Sequence, residues 1–145
     1  MKLNRALTGS VYVIYNNKVL LHMHKKHNTL FPLGGHMLPS EVPHETAIRE
    51  VFEESGLNIK LYNNDKNLEL GRVQQVNRPM HVLLENIGHD VENIDFIFFP
   101  LSTNDSINLQ EGESRDMHWL SKEDIADTMN IKSMAIDALN TLHNL

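Results

Sequence analysis

The sequence contains no cysteine, and several other scarcities narrow the class of protein that it can encode. Without cysteine there is no disulfide framework and no thiolate zinc site, which favours a reducing compartment such as the cytoplasm. Basic residues are outnumbered, with 13 Lys and Arg against 19 Asp and Glu and a formal net charge of −6. Because no basic field is available to hold a phosphodiester backbone, a nucleic acid polymer is a disfavoured partner.

Long apolar runs are also missing. The fairly apolar stretch 6–15 is interrupted by Thr8, Gly9 and Ser10, and it is far too short to span a bilayer. No small-residue cleavage pattern follows it, so we expect a first strand here and no membrane partner. At 145 residues the chain is predicted to form a single domain over residues 1–145 with a substantial core.

Strand and helix patterns alternate along the chain. Residues 11–15 and 19–23 are predicted to form a hairpin around the turn Asn16-Asn17. Further strands are predicted over residues 30–33, 58–62, 68–76, 80–85, 95–101 and 117–120. Ser121 and Asp124 resemble a capping box for a brief helix, and apolar spacing over 134–142 predicts a closing helix. Helices interspersed with strands indicate an α/β fold, with helices layered on both sides of a mixed β-sheet.

The most informative stretch is residues 35–57, GHMLPSEVPHETAIREVFEESGL. Pro43 suits a first helical turn and Gly56 suits a left-handed helix end, so a helix is predicted over residues 43–55. Val42 is a poor N-cap, so Glu45 would have to help cap this helix. Helical periodicity separates a packing side from an acidic side. The packing side comprises Ala47, Ile48, Val51, Phe52 and Ser55, and the acidic side comprises Arg49, Glu50, Glu53 and Glu54.

The acidic side is poorly explained by helix stability. Glu50 and Glu54 are a like-charge pair one turn apart, and Glu53 and Glu54 lie near the negative end of the helix, so each interaction costs roughly a few tenths of a kcal/mol. A hard divalent cation such as Mg²⁺ or Mn²⁺ reverses this balance, because it prefers convergent oxygen ligands. The crowded carboxylates therefore indicate a metal site.

The same residues resemble a known family. Gly35, Glu41 and the run from Arg49 to Leu57 match every position of the Nudix box, G-x5-E-x7-R-E-U-x-E-E-x-G-U with U aliphatic. At average residue usage such a match arises by chance on the order of once in ten million chains of this length. The resemblance implies the Nudix-type α/β/α sandwich, and the order of predicted elements agrees with that fold.

The resemblance also implies roles for individual residues. Catalytic roles fall on Glu50, Glu53 and Arg49, with Glu50 a candidate general base and Arg49 a clamp on a glutamate. Glu41 is implied either to reach the metal or to brace the metal cluster. The implied metal ligands are Glu50, Glu53, Glu54, the Gly34 carbonyl and an acid from a late loop, for which Glu113 ranks ahead of Glu111. Substrate contacts are expected from Gly34, Gly35 and Phe31, since adjacent glycines admit close approach and the Phe31 ring can stack on a base.

Nudix hydrolases of this MutT-like kind cleave a phosphoanhydride in a nucleoside diphosphate linked to another moiety. The expected partner is therefore a small nucleotide-like diphosphate, with a slight preference for nucleoside triphosphates or damaged nucleotides. A homodimer is compatible with this prediction. The alternative is a Nudix-like module that binds or senses a nucleotide without hydrolysing it. Such modules usually lose box glutamates, whereas this chain keeps them all.

Overall fold

The structure is a computed structural model that describes residues 4–24, 29–63, 65–108, 116–127 and 130–143. Its strands are β1 (Asn4–Val11), β2 (Ile14–Tyr15), β3 (Lys18–His24), β4 (Thr29–Phe31), β5 (Leu33–His36), β6 (Ile59–Leu61), β7 (His81–Gly88), β8 (Val91–Phe98), β9 (Pro100–Ser102) and β10 (Met117–Leu120). Its α-helices are α1 (Pro43–Ser55) and α2 (Lys132–Thr141), and a short 3-10 helix covers Lys122–Asp124. No helix in the described part of the chain has the length and apolar character that a membrane span requires.

The strands form two mixed sheets. The first has the order β5-β1-β8-β7, in which β1 runs parallel to β8 and antiparallel to β5. The second has the order β10-β3-β2-β9-β6, with β4 added to β3. The Tyr12 N–H donates to the Phe98 carbonyl at 3.0 Å and links the parallel pair β1–β8 to the parallel pair β2–β9.

Alternation along the strands divides the interior into two cores. Val11, Val13 and Phe98 pack with α1, whereas Tyr12, Ile14 and Phe99 pack on the opposite side with α2. Because successive strand residues point to opposite faces, neighbouring residues such as Val11 and Tyr12, or Phe98 and Phe99, supply different cores. Helices therefore cover both sides of the sheets, and the predicted α/β/α sandwich is confirmed.

Several local predictions are confirmed because they depended on short-range chemistry. Asn16 and Asn17 adopt left-handed φ angles of 50° and 60°, the combination that a two-residue hairpin turn requires. Helix α1 begins at Pro43 and ends at Ser55 as predicted, and Gly56 is left-handed with φ 77°. The Asp124 carboxylate accepts from the Ser121 N–H at 3.0 Å, as expected for the capping box.

The strand predicted over residues 68–76 is wrong. Gly71 turns the backbone with φ 64°, and the Leu68 N–H donates to the Gln75 side chain at 2.8 Å. The Gln75 amide in turn donates to the Lys66 carbonyl at 2.9 Å. These two hydrogen bonds connect Gln75 with Lys66 and Leu68 across a loop. The backbone groups that they satisfy are therefore not paired in a sheet.

The predicted faces of α1 are also wrong in part. Ile48 and Phe52 are 43% and 47% exposed, whereas Glu54, expected on the acidic outer side, is 2% exposed. The inward side of the helix is therefore centred between Ala47, Val51 and Glu54. Hydropathy alone assigned Ile48 and Phe52 inward, whereas in the structure Glu54 takes an inward position and has a polar partner there, described below.

Gly34 is expected to tolerate no side chain. Its φ is +153°, and a Cβ built on it would lie 2.2 Å from the Gly9 carbonyl oxygen on the neighbouring strand. Gly34→Ala should therefore lower the free energy of unfolding by about 2 kcal/mol, as measured by urea denaturation. Gly88→Ala is the matched control, because a Cβ there meets nothing within 4 Å, and it should change stability by less than about 0.5 kcal/mol. Equal stability of the two variants would contradict this prediction.

Candidate active site

Helix α1 is held by a loop at its start and a glycine at its end. The Glu45 carboxylate accepts from the Val42 N–H at 2.9 Å, so Glu45 supplies the cap that Val42 lacks, as predicted. The Gly56 N–H donates to the Phe52 carbonyl at 2.8 Å. With both ends fixed, the glutamates between them have defined directions.

Arg49 is the centre of the polar cluster on α1. Its Nε donates to Glu41 Oε2 at 2.6 Å, and its Nη1 donates to Glu50 at 2.8 Å and to Glu53 at 3.1 Å. Its Nη2 donates to the His36 carbonyl at 3.1 Å. The pKa of the Arg49 guanidinium is raised above its ordinary value, chiefly by the hydrogen bond to Glu41. The predicted reach from Arg49 to Glu53 is confirmed, and the same guanidinium also binds two further carboxylates.

Glu41 braces this cluster from the loop before the helix. Besides Arg49, its carboxylate accepts from the Leu38 N–H and from the Thr46 hydroxyl, both at 2.9 Å. The hydrogen bond from Arg49 is the largest cause that lowers the Glu41 pKa to about 2. Of the two roles that the box implies for Glu41, these contacts favour bracing.

Glu50 lies directly over Gly35, the second residue of the adjacent pair Gly34-Gly35, here called the double glycine. A Cβ built on Gly35 would lie 2.5 Å from Glu50 Oε1, so the absence of a side chain at Gly35 leaves room for this carboxylate. Burial raises the Glu50 pKa, and the hydrogen bond from Arg49 partly offsets the rise. A carboxylate with a raised pKa holds a proton more readily, which suits a general base.

Glu54 points inward from the same helix. The Gly34 N–H donates to Glu54 Oε1 at 2.9 Å, and this bond joins α1 to β5. The structure therefore places Glu50 and Glu54 beside Gly35 and Gly34 of β5, whereas Glu53 contacts Arg49 on the same helix. Glu111 and Glu113 lie outside the described residues, so their predicted place at the metal stays a prediction.

A cavity of about 580 Å³ opens beside the double glycine. Gly34, Gly35 and Phe31 line it, so the three predicted substrate-binding residues lie at one place. Its other walls come from the face of the first sheet that is turned away from α1 and from the start of α2. The cavity is of the size that binds small molecules.

Two cavity residues, Glu85 on β7 and Asp95 on β8, were not identified from the sequence. Asp95 is 3% exposed and accepts from the Thr8 hydroxyl at 2.9 Å and the Ser10 hydroxyl at 2.6 Å. Burial, with the charge of Asp95, raises the Glu85 pKa to about 7. Burial and these two carboxylates likewise raise the pKa of Tyr12. The available signal was the position of Asp95, a carboxylate within the otherwise apolar run from Ile94 to Phe99.

Comparison with known proteins agrees with this geometry. A family model described as the NUDIX domain matches residues 5–144. The crystal structure of a Nudix-family hydrolase from Clostridium perfringens is 38% identical, with a TM-score of 0.84, and the match covers 97% of this chain and 99% of that chain. A UDP-X diphosphatase is 15% identical with a TM-score of 0.66, covering 97% of this chain and 64% of that chain. A MutT Nudix hydrolase from Burkholderia pseudomallei is 12% identical with a TM-score of 0.64, covering 96% of this chain and 98% of that chain. A comparison with curated proteins gives no significant match.

The fold and the site thus define the class of protein as a hydrolase with its carboxylates on one helix. The chain belongs to the Nudix family, which the family model and the Clostridium perfringens structure both show. Nudix hydrolases generally use divalent metal ions and act on small nucleotide-derived substrates.

The donor chemistry of the site fits such a metal. Three carboxylates, those of Glu41, Glu50 and Glu53, share the guanidinium of Arg49, and Glu54 adds a fourth carboxylate on α1, so negative charge is in excess. Oxygen donors of this kind suit Mg²⁺ or Mn²⁺. Within the described ranges no three acidic or histidine side chains are already gathered as a metal-ligand group. Glu50 and Glu53 are instead directed toward Arg49.

The lowered Glu41 pKa predicts a pH dependence of stability. The Glu41 pKa falls from 4.5 to about 2 on folding, so the unfolded chain binds the proton more tightly. The stabilisation is complete above the unfolded value and is lost as the pH falls toward the folded value. Glu41→Gln should therefore flatten the decline in urea midpoint as the pH falls from 4.5 to about 2. A decline as steep as that of the natural chain would contradict this assignment.

Proposed function

We propose that the chain is a metal-dependent hydrolase that cleaves a phosphoanhydride bond in a nucleoside diphosphate linked to another moiety. Nucleoside triphosphates or damaged nucleotides are the substrates proposed first. The observation that carries the proposal is the position of Glu50, which is bound by Arg49 and lies over Gly35. Gly35 in turn lines a cavity of about 580 Å³. A diphosphate placed beside the double glycine would have the carboxylates on one side and room for its organic part on the other.

The proposed metal site comprises Glu50, Glu53, Glu54, the Gly34 carbonyl and Glu113. When bound, Mg²⁺ or Mn²⁺ supplies charge neutralisation for the diphosphate and polarises phosphorus. Glu50 takes the proton of the attacking water, and its raised pKa supports this role. Arg49 orients Glu50 and Glu53, since its planar guanidinium donates to both. Gly34 and Gly35 let the phosphates approach the backbone, and the Phe31 ring contributes to the cavity.

The glutamates of α1 provide the test of this assignment. Glu53→Gln and Glu54→Gln should each lower kcat by about two decades or more, since metal and general-base effects have this size. In Glu54→Gln the amide oxygen can still accept from the Gly34 N–H. Circular dichroism should therefore show that the variant is folded. Glu45→Gln is the matched control, because it makes the same charge change on the same helix and keeps its capping bond to Val42.

The substrate class is tested by release of phosphate and pyrophosphate with Mg²⁺ or Mn²⁺. The panel comprises nucleoside triphosphates, nucleotide sugars, dinucleoside polyphosphates and dinucleotides. If Glu53→Gln or Glu54→Gln hydrolyses its substrate at the rate of the natural chain at saturating metal, the site assignment is rejected. No release from any member would instead favour the alternative, a nucleotide-binding module without hydrolytic activity.

We propose in addition that two copies of the chain form a homodimer through β7. Strand β7 lies at an edge of its sheet, and Val82 and Leu84 are 56% and 61% exposed on it. Exposed apolar edge strands pair readily with another strand, and two copies of one edge can pair antiparallel about a two-fold axis. A cytoplasmic location, which fits the lack of cysteine, is likewise proposed.

The homodimer has a direct test in solution mass. Multi-angle light scattering should give a dimer mass for the natural chain and a monomer mass for the double variant Val82→Lys, Leu84→Lys, because charge on the edge prevents strand addition. Leu38→Lys, at an exposed apolar residue away from β7, should leave the dimer intact. A monomeric natural chain at micromolar concentration would refute the proposal.

A further inference from the structure

The last turn of α1, residues 52–55, carries two of the proposed metal ligands and has little support of its own. Glu53 and Glu54 place two carboxylates at the negative end of the helix, and the turn contains no basic residue to offset them. The last four carbonyls of a helix also lack partners within the helix, so such an end frays readily. The turn that presents two ligands therefore needs support from elsewhere in the chain.

A loop that is distant in the sequence, residues 103–108, supplies this support. The Asn108 N–H donates to the Ser55 carbonyl at 2.7 Å and so satisfies one of the free carbonyls at the helix end. The approach is close, since a Cβ built on Gly56 would lie 2.6 Å from the Asn108 carbonyl oxygen. Ile107 adds apolar packing against the core cluster that α1 covers. Loop 103–108 thus lies directly against the end of the helix that carries the two glutamates.

The other side of loop 103–108 is held by Trp119 on β10. The Trp119 indole N–H donates to the Asp105 carbonyl at 3.1 Å. The indole itself packs against the core cluster that α1 covers, and its ring lies 6.2 Å from the ring of Tyr15. The loop therefore connects β10 to the end of α1 through one hydrogen bond on each side.

We propose that Trp119 is a positioning residue for the metal-binding turn of α1 and acts through loop 103–108 on Glu53 and Glu54. The inference rests on the proposed function, because it concerns two of the ligands proposed there. Only molecules in which the last turn is formed present both carboxylates, so the apparent affinity for Mg²⁺ or Mn²⁺ scales with the fraction of such molecules. The bonds made by Trp119 and by the Asn108 N–H raise this fraction, and neither residue touches metal or substrate.

The coupling between loop and metal works in both directions. If the loop contact strengthens metal binding, metal binding strengthens the loop contact by the same factor. The chain contains one tryptophan, so tryptophan emission reports on the surroundings of Trp119. Titration with Mg²⁺, which is diamagnetic and does not quench the indole, should therefore change this emission until the site is saturated. An emission that stays constant while calorimetry detects Mg²⁺ binding overturns the proposal.

Substitutions test the two hydrogen bonds separately. Asn108→Pro removes the N–H that binds the Ser55 carbonyl, whereas the matched control Asn108→Ala keeps it. Trp119→Phe removes the indole N–H, keeps an aromatic ring and carries the test alone if Asn108→Pro is unfolded by circular dichroism. Isothermal titration calorimetry should show about threefold to tenfold weaker Mg²⁺ binding in Asn108→Pro and in Trp119→Phe, the effect of one lost hydrogen bond. Asn108→Ala should keep the natural affinity, and natural affinity in Trp119→Phe overturns the proposal.

Hydrogen exchange without metal distinguishes this inference from the proposed function. The amides of residues 52–58 should exchange about threefold or more faster in Asn108→Pro and in Trp119→Phe than in Asn108→Ala, because the last turn of α1 frays more often. Faster exchange in a chain that binds no Mg²⁺ and hydrolyses nothing would refute the proposed function and support the action of the loop on α1. Metal-dependent hydrolysis with equal exchange rates in the three variants would do the reverse.

Discussion

The site depends on the Arg49 guanidinium, which binds the carboxylates of Glu41, Glu50 and Glu53. Without this cation the three carboxylates would repel one another across one helix and its preceding loop. Its fourth contact, to the His36 carbonyl, ties the helix to the end of β5. A lysine would carry the same charge but lacks the planar fork that donates in several fixed directions. One side chain thus sets the relative positions of the loop, the helix and the strand.

The two sides of the first sheet carry different chemistry, and β5 brings them together. On the side of α1, carboxylates cluster beside Gly35 and Gly34. On the other side, the cavity contains the Glu85–Asp95 pair. Gly34 and Gly35 belong to both regions, because they contact the helix glutamates and also line the cavity. A ligand at the double glycine would therefore contact both regions at once, which is consistent with a substrate that has a phosphate part and an organic part.

The features predicted correctly from the sequence are those encoded by neighbouring residues. Pro43, Gly56 and the spacing of the box specified the bounds of α1, and Asn16-Asn17 specified the hairpin. The rotation of α1 was not predictable in this way, because the bond between Glu54 and the Gly34 N–H joins residues 20 positions apart. The pair of Glu85 and Asp95 was missed for a similar reason. Their proximity depends on the register of β7 against β8, which individual residue types do not specify.

The parallel pairing of β1 with β8 has a consequence for how the molecule is made. Thr8 and Asp95 are 87 positions apart, yet their side chains form one hydrogen bond. During translation β1 leaves the ribosome long before its parallel neighbour β8 exists, whereas its antiparallel neighbour β5 is synthesised soon after it. Contacts over such separations form slowly, because a long loop must close before they stabilise the chain. The cavity is thus completed only after β8 and the start of α2 have been synthesised, later than the double glycine and α1.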